Sequence, residues 1–278
     1  MNSWKLLSEK SSHKDLAPDP KEGLSWDTDG FKTPQSLVPL VIPDPTNPGI
    51  SNSSNTPTSQ YMTGSVAVGI VIVSGPGHLK FTDAEKQKVV SEVQEGLQFL
   101  ATAEPRAKLV FHYDIQPVAV TVAGGNTSSY EKAEAPWRNA ALAKMGYAAT
   151  RQGSIQYVNS LKQSKGTDWA YVAYFTKYDL FHFAYAVDEK LVMSYENDGW
   201  GIDNINKVFA HETCHIFGAA DEYGACNCNS IHGYLSIANG NCKICAPQHV
   251  PCLMEGNVLV LCDWSRRQIG WDASLFPH

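Results

Sequence analysis

Two histidines four residues apart, His211 and His215, stand in the run FAHETCHIFGAADEYGAC, with Glu212 beside the first and Asp221 and Glu222 further on. On a helix this spacing puts both imidazoles on one face, a turn apart, where both can reach one ion. Zinc suits two neutral imidazoles, at Zn–N distances of ~2.0–2.1 Å. Glu212 is angularly offset from both, so it can stand beside the ion and hold a water without being a ligand. Gly218 is placed to stop the helix and, because glycine tolerates positive φ, to send the chain sharply back. That return brings a carboxylate up to the ion, either Asp221 or its neighbour Glu222, with Asp221 favoured by its spacing from the histidines. Two histidines, one carboxylate and an open fourth position suit catalysis, whereas structural zinc sites are closed by four protein ligands.

A helix and a sheet must position these groups. Asp203 is a candidate N-cap, and Ile205, Val208 and Phe209 give an apolar face to a helix that reaches Phe217. Upstream, SVAVGIVIVSG is an apolar, β-branched run that reads as a buried strand. Thr82 then caps a helix carrying Val89, Val90, Val93, Leu97 and Leu100 at helical spacing. KLVFHYDIQPVAVTV reads as a strand interrupted by Pro117. Helices follow around YEKAEAPWRNAALAKMG and SIQYVNSLKQS, then the strand DWAYVAYFTKY and two short strands, FHFAYA and KLVMSY, as an edge pair. This order predicts an α/β sandwich around a largely parallel sheet.

The chain has 278 residues, a net charge of −6 and an apolar content of 43%, enough for a substantial core. No basic stripe suggests nucleic acid, and no apolar run approaches the ~20 residues that span a bilayer. Residues 1–61 are rich in Pro, Ser, Asn and Thr and read as an extended segment, with SLVPLVIP able to lie along the folded part. DTDG at 27–30 resembles part of a calcium loop but lacks the full spacing, so it reads as a turn and calcium has no support. The N-terminus MNSWKLLSEKSSHKDLAPDPKEG carries no apolar core of a secretory signal. All seven cysteines fall between positions 214 and 262, a local device of the C-terminal part. Cys214, inside the site helix, reads as a small buried apolar residue.

HETCHIFGAAD resembles the metzincin zinc-protease signature HExxHxxGxxH/D, in the variant with aspartate as third ligand found in snapalysin-type enzymes. The resemblance implies a zincin-like α+β catalytic domain over residues 62–278, with an upper subdomain at 62–218 and a Cys-rich lower one at 219–278. The sheet would be twisted and mostly parallel with an antiparallel edge strand. It implies His211, His215 and Asp221 as zinc ligands and Glu212 as general base. It also implies a methionine in a tight turn beneath the metal, for which CLMEGN offers Met254, and a final helix in DWSRRQIGW. Gly256 stands where some members carry a tyrosine, and Tyr223 is a candidate to supply that phenol or to line a subsite, as are Trp200 and Tyr234. No cysteine precedes Cys214, so no upstream thiol can cap the metal. Such enzymes are usually exported, which favours three disulfides among Cys226, Cys228, Cys242, Cys245, Cys252 and Cys262 over a second, structural zinc on CNC and CKIC. The resulting expectation is an extracellular, monomeric zinc endopeptidase acting on a protein or peptide that lies extended near 181–195. The alternatives are a silent zinc-containing binding module and a hydrolase of a non-peptide, cell-wall amide.

Overall fold

A computed structural model describes residues 58–272. The features expected within residues 1–57, including the DTDG turn and SLVPLVIP, lie outside the described residues. Five strands, β1 (Ser65–Ser74), β2 (Val110–Ala119), β3 (Trp169–Thr176), β4 (Ala184–Val187) and β5 (Lys190–Ser194), form one sheet in the order β2-β1-β3-β5-β4. All neighbours are parallel except β4, which runs antiparallel to β5. β1 sits inside the sheet and is buried on both faces, which is why it reads as one unbroken apolar run. β2 lies at an edge, so Pro117 is accommodated within the strand, in register with Ile72, and does not interrupt it.

Helices cover both faces. α1 (Asp83–Ala103) and α4 (Ile205–Ile216) lie on one side, with Val93, Leu97, Ile70, Phe175 and Phe209 in a shared core. α2 (Tyr130–Lys144) and α3 (Arg151–Lys165) cover the other, around Val71, Trp137, Leu161 and Tyr174. Thr82 caps α1 as the sequence implies, and the cap is reciprocal: its hydroxyl accepts from the Glu85 amide while Glu85 accepts from the Thr82 amide. The α4 entry differs from expectation. Asp203 lies in a 3-10 turn (Ile202–Asn204) and pairs with Lys88 on α1 at 2.7 Å, so it joins two helices instead of capping one.

Beyond α4 regular structure is sparse. β6 (Ile231–His232) and β7 (Ile237–Ala238) are a two-residue pair, α5 (Leu253–Gly256) is one turn, and α6 (Asp263–Gln268) is the final helix. The disulfides Cys226–Cys242 and Cys228–Cys245 staple the stretch between α4 and α5. Cys214, Cys252 and Cys262 are buried thiols, so two of the three expected staples are present. The final helix is tied back to the sheet layer: Arg266 bonds Glu104 at 2.7 Å, and the Met62 amide donates to the Ile269 carbonyl at 2.8 Å. Thr58 and Tyr61 already belong to the folded unit, through the bond from the Ala170 amide to the Thr58 carbonyl and the packing of Tyr61 on Trp169. No helix among the described residues is long and apolar enough to cross a membrane.

Candidate metal centre

α4 presents His211 and His215 on one face, and both are almost wholly buried. The helix ends at Phe217, and Gly218 follows at φ +94, a left-handed conformation that side chains resist. A Cβ there would also stand 2.7 Å from Gly233 Cα, so glycine is needed twice over. The reversed chain carries Asp221 back to the histidines. Its Oδ1 lies 3.1 Å from His211 Nε2 and 3.2 Å from His215 Nε2, and the two Nε2 atoms are 3.0 Å apart.

The far side of each ring fixes its tautomer. His211 Nδ1 lies 2.9 Å from the Leu253 carbonyl and His215 Nδ1 lies 2.8 Å from the Ala219 carbonyl. A carbonyl only accepts, so each Nδ1 carries the hydrogen and each neutral ring turns an Nε2 lone pair inward. Three acceptors then face one another in a buried space, which is repulsive without a cation. Ligands held tetrahedrally at ~2.0–2.1 Å stand about 3.3 Å apart, so the triangle has nearly the dimensions a small divalent ion requires. Asp221 Oδ2 is buried without a hydrogen-bond partner, as befits a carboxylate awaiting a further ligand or water. The donor set, the tautomers and the orphaned oxygen all fit a metal ion.

The closeness of these groups also sets their protonation equilibria. Burial disfavours charge on His215, but the Asp221 carboxylate beside it outweighs burial and holds its pKa up at about 9. Burial likewise works against the charge of Asp221, and His215 and His211 overcome it, so its carboxyl lies well below the usual range. Glu212 is buried next to the cluster, with Oε2 lacking a hydrogen-bond partner. Burial raises its pKa, against the opposing pull of His215 and His211.

Glu222 takes a different place from Asp221. Its carboxylate accepts from Asn241 Nδ2 at 2.5 Å, Ser265 Oγ at 2.7 Å and the Cys262 thiol at 2.9 Å, in a separate buried network. Met254 is fully buried in α5, immediately after the Leu253 carbonyl that orients His211, and its own carbonyl accepts from the Glu222 amide at 2.9 Å. Asn257 then turns the chain at φ +51. Tyr223 packs near His211, with ring centroids 6.2 Å apart, and burial and the charges of Asp221 and Glu212 push its phenol well up. Trp200 and Tyr234 lie elsewhere: Trp200 packs on the core of α1 and α4, and Tyr234 stands edge-on to Tyr61.

Sequence reading missed the carbonyls of Leu253 and Ala219, since backbone acceptors leave no signature. It also passed over two histidines. His182, just before β4, has Nδ1 at 2.8 Å from the Ala184 carbonyl and lowers the pKa of Glu212 electrostatically. His232, on β6, bonds Ser230 Oγ at 2.7 Å, and burial together with the charge of His215 brings its pKa down to about 4. Both fall outside the HExxH spacing, and only their being histidines hinted at them. No family model and no curated protein matches this chain.

Proposed function

We propose that the chain is a zinc-dependent peptidase of the metzincin type, with Glu212 as general base. The observation that carries this reading is the convergence of His211, His215 and Asp221, tautomers pinned from behind, beside the buried Glu212 carboxylate, whose Oε2 has no hydrogen-bond partner. Three protein ligands leave a coordination position for substrate or water, the arrangement of catalytic sites. A bound zinc ion would supply a water of pKa near ~7 and polarisation of the scissile carbonyl. Glu212 would accept a proton from that water and deliver it to the leaving amine, and its burial raises its affinity for that proton. Met254 and Leu253 would shape the floor of the site, and Tyr223 would face the reacting carbonyl or line a subsite.

The peptide preference rests on the sheet edge. α4 packs against β4, and β4 pairs on one side only, with β5, among the described residues. An extended substrate added along β4 would gain backbone hydrogen bonds beside the site. The two disulfides are compatible with an exported protein. A silent metal-holding module would have no use for Glu212 Oε2, whose burial without a partner costs about 1–3 kcal/mol. The test joins metal analysis to digestion of a peptide library. Glu212→Ala should retain one zinc per chain and lose hydrolysis by about 10²–10⁴-fold. Retained hydrolysis, or loss of the metal, would sink the assignment; a metal-loaded wild type that leaves peptides intact would point to the non-peptide amide.

A further inference from the structure

Two of the three thiols outside the disulfides, Cys252 and Cys262, meet at the foot of the turn beneath the metal centre. The Cys262 amide lies 3.3 Å from Cys252 Sγ. Both sulfurs lie against one hydroxyl, Ser265 Oγ, at 3.4 and 3.6 Å, and together with Glu222 they fall within 4.8 Å of one another. The turn between them is drawn shut by the Leu253 amide, which donates to the Val260 carbonyl at 2.6 Å. That turn also holds the site. Leu253 offers the carbonyl that orients His211, and Met254 offers the one that fixes the amide following Asp221.

We propose that Cys252 and Cys262 are the two halves of a third disulfide, and that this crosslink tunes metal affinity by locking the turn that orients His211 and anchors the Asp221 segment. The second part rests on the metal-centre reading; the crosslink itself does not. A closed metal site on the same atoms fits less well. Structural zinc sites are closed by four protein ligands, and among the described residues only Glu222, Cys252 and Cys262 gather here. A disulfide is neutral, and Glu222 keeps its donors Ser265 and Asn241.

The reaction is thiol–disulfide exchange with a low-molecular-weight disulfide, RSSR. One cysteine thiolate attacks RSSR and releases RS⁻, then the second attacks the mixed disulfide and releases another. The sum is two protein thiols and RSSR giving one protein disulfide and two RSH. In the folded chain the hydrogen bond with Cys252, and burial, raise the Cys262 thiol far above its ordinary range, and both sulfurs are shut away from a reagent in solution. Closure therefore belongs to folding, before the segment is covered.

Alkylation of the unreduced, denatured protein, followed by intact mass and peptide mapping, tests the crosslink. The expected result is one alkylated cysteine, Cys214, and a linked peptide pair joining Cys252 to Cys262. Three alkylated cysteines would overturn it, as would a link from Cys252 to Cys214, the other buried thiol close enough to influence it. For the coupling, zinc competition against a chromophoric chelator should show affinity about 10–100-fold weaker in a Cys252→Ser, Cys262→Ser double variant, with unchanged far-UV circular dichroism. Equal affinity would overturn the coupling. A wild type that takes up no zinc would overturn coupling and metal reading together, while the mass result still decides the crosslink.

Discussion

The sheet layer and the segment after α4 are held together by different physics. From β1 to β5 the order comes from apolar side chains on two sheet faces, and no cysteine lies in that stretch of chain. From Ala219 to Cys262 the strands are two residues long. Only the ends of this stretch, Ala219 and then Cys252, Leu253 and Met254 with Leu261 and Cys262, reach that apolar core. Between them the order comes from disulfides and a buried polar network around Glu222. The candidate centre straddles the two, with both histidines on the apolar side and Asp221 on the stapled side. A site built this way should fail in different ways when each half is perturbed.

The largest effect is expected where the halves meet. Asp221→Ala should weaken zinc binding by more than about 100-fold, beyond what loss of a supporting group costs. Glu222→Gln, one residue along, should stay within about tenfold of wild type. Isothermal titration of the two variants would break the distinction if their order were reversed.

Next comes the apolar half. Leu97→Ala removes a fully buried side chain from between α1 and the sheet and should cost about 2–5 kcal/mol in denaturant unfolding. The loss should be the same with and without reductant. Reduction should act on the other half: the two staples span 16 and 17 residues, each worth about 3 kcal/mol by loop closure. Hydrogen exchange should then rise across 219–250 while β1 and β3 stay protected, and uniform exchange would erase the proposed division.

The smallest effect concerns the strap between the halves. Glu104 accepts from Arg106 at 2.8 Å and from Arg266 of α6 at 2.7 Å. The Arg106 hydrogen bonds bring its pKa from 4.5 to about 2, against burial. A depressed carboxyl stabilises fully above its unfolded value, and that contribution is lost as pH falls from about 4.5 towards 2. Glu104→Gln should therefore cost about 1–2 kcal/mol near neutrality, since Arg106 is half-exposed and partly screened, and flatten the acid limb of the stability curve. Thermal melts at pH 7 and pH 3 check both signs.

The same division governed what could be read from the sequence. SVAVGIVIVSG and DWAYVAYFTKY announced their strands because burial on both faces demands unbroken apolar runs. Thr82 announced its helix because a cap is a local event. HETCHIFGAAD announced convergence because helical spacing and one glycine suffice to bring the three side chains together. Pro117 misled because tolerance of proline depends on a strand's place in the sheet, which is a property of the whole fold. Asp203 misled because its partner, Lys88, lies on another helix. The pairing of Cys226 with Cys242 and of Cys228 with Cys245, and the role of Glu222, depend on contacts across a segment with almost no periodicity to read.

The fastening of Met62 to the last turn reaches beyond local stability. Its amide donates to Ile269 and its carbonyl accepts from the Trp271 indole at 2.5 Å, so positions 62 and 271 are near neighbours. A short flexible bridge could therefore join them, giving up the contacts of Thr58 with Ala170 and of Tyr61 with Trp169, and the chain could be opened elsewhere with the strand order kept. The exposed turn at 146–150, between α2 and α3, offers such an opening, as loops of this kind generally do. A circular permutant beginning there would keep β1 in the middle of the sheet and carry HETCHIFGAAD nearer the centre of the new chain.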